Sequence, residues 1–152
     1  MDYEVVNLDE KIAVGIGKRT GNGDPHMKEI IGGLWNRFYN EGIYASIPNK
    51  VNLKTLGMYT DYIGEKKEDY KALVACEVSS EPDGDSFAVC KIPSGPYAKF
   101  IVKGNVTQVV AKAWEEIGQM NLPRTFCCDF EEYEDDNMEN GEIHIYVGLK
   151  EG

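Results

Sequence analysis

The chain has 152 residues, with 26 acidic against 16 basic side chains, a net charge of −10 and a pI near 4.7. That balance argues against direct nucleic-acid binding, which rests on clustered Lys and Arg neutralising phosphate. No run of about 18 apolar residues is present to form a membrane-spanning helix, and a hydrophobic content of 42% is ordinary for a globular chain with a packed core.

The acidic start Met1-Asp2-Tyr3-Glu4 leads directly into a strand, so no signal peptide is expected and the protein is placed in the cytoplasm. Residues 3–8 and 12–17 alternate as the strands of a hairpin about Asp9-Glu10. After a polar loop at 20–25, Asp24 as cap and Pro25 in the first turn start a helix that ends near Asn40. A polar connection through Pro48 leads to a second hairpin, 55–62 with 70–78. Residues 81–85 form a junction, after which the order repeats. Residues 87–92 and 97–103 pair about Pro93-Ser94-Gly95-Pro96, and Asn105 caps a helix over 106–120. Strands at 126–134 and 142–149 finish the chain.

The two helices share a pattern. Met27, Ile30, Ile31, Leu34, Trp35 and Phe38 recur in spacing as Val106, Val109, Val110, Ala113, Trp114 and Ile117, at a constant shift of 79 residues. Each set is the apolar stripe of an amphipathic helix. The chain therefore reads as one α+β domain, 1–152, made of a duplicated β-β-α-β-β unit with pseudo-repeats of about 1–80 and 86–150. An antiparallel sheet carries the helices on one face, and a ligand cleft is expected between the halves.

Several motifs are excluded. Gly15-Ile16-Gly17 with Gly21 does not fit the dinucleotide fingerprint, and Gly17 to Thr20 lacks the upstream glycine of a phosphate loop. Cys76, Cys90, Cys127 and Cys128 show no metal spacing, and His26 and His144 are far apart in unrelated contexts. No metal and no cofactor are expected, and the thiols are read as reduced and mostly buried.

Alternation puts Asp129, Glu131 and Tyr133 on one face of their strand and Cys128, Phe130 and Glu132 on the other. In the neighbouring strand Ile143, Ile145 and Val147 should face the helices, with His144 and Tyr146 opposite. The expectation is that Glu131, Tyr133 and Tyr146 share the face away from the helices, with Tyr59 at the corresponding place in the first half. A carboxylate ringed by aromatic faces attracts a bulky cation. The other reading is that Glu131 is one more solvated acid of the run from Glu131 to Asp136.

Six motifs occur in a fixed order: Leu34-Trp35-Asn36-Arg37-Phe38, Gly57-Met58-Tyr59-Thr60-Asp61-Tyr62, Ile92-Pro93-Ser94-Gly95-Pro96-Tyr97, Ala113-Trp114-Glu115-Glu116-Ile117, Asp129-Phe130-Glu131-Glu132-Tyr133 and Ile143-His144-Ile145-Tyr146-Val147. In that order the chain resembles GyrI-like small-molecule-binding domains, which are also the effector-binding domains of AraC-type and MerR-type regulators. The resemblance covers nearly the whole chain. It implies the duplicated fold, a cleft between the halves, Glu131 at the cleft floor, and walls drawn from Trp35, Tyr59, Tyr97, Trp114 and Tyr146. Trp35 and Trp114 lie on apolar helix stripes and either line the cleft or are buried between helix and sheet.

The chain begins at its first strand with no helix-turn-helix segment, so it looks like a stand-alone member. The leading expectation is a binder of hydrophobic, often cationic, small molecules. Proteins similar to this family suggest two alternatives. One is a detoxifying hydrolase of cyclopropane-containing genotoxins, with Glu131 activating water and Tyr146 or Tyr59 steadying the developing charge. The other is an interaction module acting on a topoisomerase.

Overall fold

The hairpins expected at 55–78 and 126–149 form, but the other two do not, and that difference shapes the molecule. In a computed structural model describing residues 1–151, the described residues contain eight strands and three helices. In chain order they are β1 (Glu4–Leu8), β2 (Lys11–Gly21), α1 (Met27–Asn40), α2 (Ile43–Ser46), β3 (Thr55–Ile63), β4 (Asp69–Val78), β5 (Ala88–Ile92), β6 (Gly95–Gly104), α3 (Val106–Gln119), β7 (Cys128–Tyr133) and β8 (Gly141–Gly148). One antiparallel sheet runs β1-β6-β8-β7-β3-β4-β2-β5. β1 pairs with β6 and β5 with β2, so each half lends its first strand to the other. Alternation shows which face a side chain takes but not which strand lies alongside.

The exchange forces the sheet to curl. β1 and β2 stand six places apart in the sheet, about 29 Å at about 4.8 Å per strand. Only Asp9 and Glu10 join them, a reach of about 10 Å. The same holds for β5 and β6, joined by Pro93 and Ser94. The sheet becomes a half-barrel whose inside is filled by Leu56, Met58, Leu73, Tyr97, Phe130 and Tyr146 with their neighbours. Gly15, one of the glycines set aside as a nucleotide motif, instead leaves room for β4 against β2. A Cβ there would lie 1.9 Å from the Val74 carbonyl oxygen.

The outer face carries the helices. Leu34 and Phe38 of α1 pack on Val14, Tyr70, Ala72 and Val74, and Ala113 and Ile117 of α3 pack on Ala98, Phe100, Ile143, Ile145 and Val147. α1 rests on β2 and β4 and α3 on β6 and β8, which leaves β3 and β7 running between the two helices. Asn105 caps α3 as expected, accepting from the Gln108 N–H. Asp24 does not cap α1. It caps the preceding turn by accepting from the His26 N–H, and His26 stands at the helix start. The polar connection after α1 is not all loop: it contains the short α2, whose four residues are too few to show a helical period. Among the described residues no helix is long and apolar enough to cross a membrane.

Candidate functional site

The central strands place Glu131 under the gap between the helices. Glu131 stands opposite Ile145 of β8 and opposite Gly57 of β3. Cross-strand partners share a face, so Glu131 points with Ile145 toward the helices. This corrects the expectation that Glu131 and Tyr133 share the face of Tyr146. Tyr146 lies on the inner face, stacked on Phe130 at 4.7 Å. Tyr97 is also inside, edge-on to Phe130 with its hydroxyl donating to the Pro93 carbonyl. The acid is on the helix side and is a buried group.

Glu131 is 2% exposed. Its Oε2 accepts from the Tyr59 hydroxyl at 2.7 Å and from the Trp114 indole N–H at 2.6 Å, and its Oε1 from the Tyr133 hydroxyl at 2.6 Å. Trp35 packs edge-on to Tyr133 at 4.9 Å, and Trp114 edge-on to Tyr59 at 5.4 Å. Both tryptophans are half-buried and converge on the acid, one from each helix. Gly57 makes the space: a Cβ there would sit 2.7 Å from Oε1 of Glu131 and 3.3 Å from the Trp35 ring. Glu131, Tyr59, Trp35, Trp114 and Tyr133 are therefore brought together, while Tyr97 and Tyr146 lie across the sheet from them.

Burial drives the Glu131 carboxyl above its ordinary value, and the bonds from Tyr133, Tyr59 and Trp114 pull it back down. The Tyr59 and Tyr133 phenols are pushed well up, first by burial and then by the Glu131 charge. Tyr70, farther out, is pushed up to about 12 by burial and then by the same charge. Three neutral donors thus converge on one acid whose charged form burial disfavours.

A second buried acid lies two residues away. Asp129 is fully buried and accepts from the Tyr62 hydroxyl at 2.6 Å, the Gly148 N–H at 2.9 Å and Arg124 at 2.7 Å. Arg124 in turn lies over the Phe126 ring at 4.2 Å. The contrast decides which acid is available. Asp129 has its own guanidinium, whereas Glu131 has no cationic partner among the described residues. Asp129 shares the Glu131 face as alternation predicts, and Arg124 reaches it from the loop before β7, a contact no local pattern signals. A surface hollow of about 250 Å³ between Thr60, Lys71, Cys90 and Cys127 lies elsewhere and does not include Glu131. Cys76 and Cys128 are buried, Cys90 half-buried and Cys127 exposed, all as free thiols.

A curled antiparallel half-barrel sheet with three helices is the architecture of the GyrI-like effector-binding class. The chain belongs to the Cass2 family, the integron-associated effector binding proteins, whose pattern it matches over residues 4–149. No curated protein matches it. Among solved structures it is similar to an integron cassette protein from the mobile metagenome of Vibrio cholerae, with 26% identity over 95% of each chain and a TM-score of 0.73. SAV2435, solved bound to tetraphenylphosphonium, shares 23% identity over 97% of this chain and 94% of that one, with a TM-score of 0.76. A protein from Staphylococcus aureus MU50, described as a candidate bacterial transcription regulation protein, shares 24% identity over 97% and 99% of the two chains, with a TM-score of 0.73.

Proposed function

We propose that the chain binds bulky lipophilic cations between α1 and α3, with Glu131 as the counter-charge and Trp35, Trp114, Tyr59 and Tyr133 as the walls. The observation that carries this is the buried carboxylate with three donors and no internal cation. Holding an ion away from water costs several kcal/mol unless an opposite charge offsets it. A ligand cation supplies that charge and gains up to about 2 kcal/mol more from each desolvated ring face. Membership of an effector-binding family supports small-molecule binding, and the cation held by SAV2435 supports this ligand class.

The same geometry gives hydrolysis no support. The Glu131 oxygens are engaged by three donors, and of the two partners expected for such chemistry Tyr59 is one of those donors while Tyr146 lies on the opposite face of the sheet.

Tetraphenylphosphonium and tetraphenylborate have nearly the same shape and opposite charge, which makes them the deciding pair. Titrated into the protein and followed by Trp fluorescence, the phosphonium should quench saturably and the borate should not. Glu131→Gln should weaken the phosphonium by about tenfold or more, about 1.4 kcal/mol. Equal binding of the two ions, or full affinity in Glu131→Gln, would sink the proposal.

A further inference from the structure

The inner face of β7 presents a second polar cluster that the effector site does not use. Glu132 stands opposite His144 of β8, and Glu134 lies just past the end of β7. One ligand atom from each of the three lies within 4.8 Å of the others. All three side chains are mostly buried, at 12% exposure for His144 and 18% for each glutamate. The imidazole is held from its far side: Nε2 is 2.6 Å from Oε2 of Glu142. That contact turns Nδ1 toward Glu132 and Glu134, at 3.9 and 3.5 Å. Oε2 of Glu134 is buried with no hydrogen-bond partner among the described residues. Lys54 supplies the local cation, 3.5 Å from Glu132 and 3.1 Å from Glu134. Its side chain is 36% exposed, and the length of a lysine stem lets a displaced ammonium reach water.

We propose that Glu132, Glu134 and His144 bind a divalent first-row transition ion such as Zn(II), which takes the place of the Lys54 ammonium. Two carboxylates and a neutral imidazole suit a borderline ion, with water completing its coordination. Donors bound to one ion at about 2.1 Å sit about 3.4 Å apart in a tetrahedron. The Nδ1 to carboxylate separations of 3.5 and 3.9 Å are already close to that. A carboxylate on the second nitrogen is the usual way a metal-binding imidazole is oriented, and Glu142 provides it. The unpartnered oxygen of Glu134 gains a partner. Linear spacing carries no signal of this site, because the histidine comes from the neighbouring strand.

The test is titration of Zn(II) into the full chain by calorimetry, with Co(II) absorption as a report on ligand type. We expect saturable uptake of about one ion per chain. Glu142→Gln should weaken it about ten- to a hundredfold, and His144→Ala or Glu134→Gln should weaken it further. Lys54→Met leaves every ligand in place and should tighten binding by removing the competing ammonium. Metal-free melting curves separate lost folding from lost binding, and Lys54→Met decides the matter if a ligand variant does not fold. No saturable uptake, undiminished uptake in a folded His144→Ala, or unchanged affinity in Lys54→Met overturns the proposal. So do thiolate-to-cobalt charge-transfer bands, which would place the ion on cysteines.

Discussion

Gly57 and Glu131 face each other across the central strand pair, and the two halves of the chain meet about them. Tyr59 follows Gly57 by two residues as Tyr133 follows Glu131, and both hydroxyls donate to the same carboxylate. Two acids at this pair would put two like charges into one dry space, and two glycines would leave no charge at all. One half supplies the carboxylate and the other supplies the room for it. Gly57→Ala would place its Cβ 2.7 Å from Oε1 of Glu131 and push the group off its donors. We expect a stability loss of about 1–3 kcal/mol in urea unfolding, with tetraphenylphosphonium affinity falling at least as far as in Glu131→Gln. Unchanged affinity would mean that the carboxylate has slack the geometry does not show.

At the scale of elements, the helices and the long hairpins were legible because period and turn chemistry are local. The matched stripes of α1 and α3, the cap at Asn105 and the pairing of β7 with β8 all follow from residues close in sequence. Two local expectations failed, the cap at Asp24 and the connection that holds α2, but the failures that reshape the fold were non-local. The turns at Asp9-Glu10 and Pro93-Ser94 look like hairpin links, yet their strands pair across the halves. Alternation sorts the residues of β7 into two faces, but only its pairing with β8 says which of them turns to the helices. The aromatic residues and Glu131 could be named from the sequence. That Tyr59 and Tyr133 join it while Tyr97 and Tyr146 do not follows only from register. The exchange of strands carries its own consequence. The inner core takes Leu56, Met58 and Leu73 from the first half and Tyr97, Phe130 and Tyr146 from the second. Fragments 1–80 and 86–152 each lose half of that core, and chains below about 80 residues rarely hold more than about 5 kcal/mol alone. Circular dichroism should show no cooperative melting for either fragment and recovery of a transition on mixing. A cooperative transition in one fragment alone would show that the exchange is dispensable.

For the whole molecule, the buried charge makes stability depend on pH with a sign that can be worked out. Burial holds the Glu131 carboxyl above its ordinary value in the folded state. The folded chain therefore binds this proton more tightly than the unfolded chain does, and stability falls as pH rises from the unfolded value through the folded one. Below about pH 4 the group is neutral in both states and the penalty is absent. Asp24 and Glu142 work in the opposite direction, since hydrogen bonds hold both below their ordinary values, so the wild-type profile is a mixture. The difference between wild type and Glu131→Gln isolates the one group. We expect Glu131→Gln to gain stability relative to wild type as pH rises above the ordinary carboxylate range, over the span in which the folded Glu131 ionises, and then level off. A bound cation should reverse this, because it favours the ionised form: tetraphenylphosphonium should raise the wild-type melting temperature at neutral pH and lose that effect in acid. A pH-independent difference between the two proteins would show that ionisation of Glu131 is uncoupled from folding, and the cation would then need another anchor.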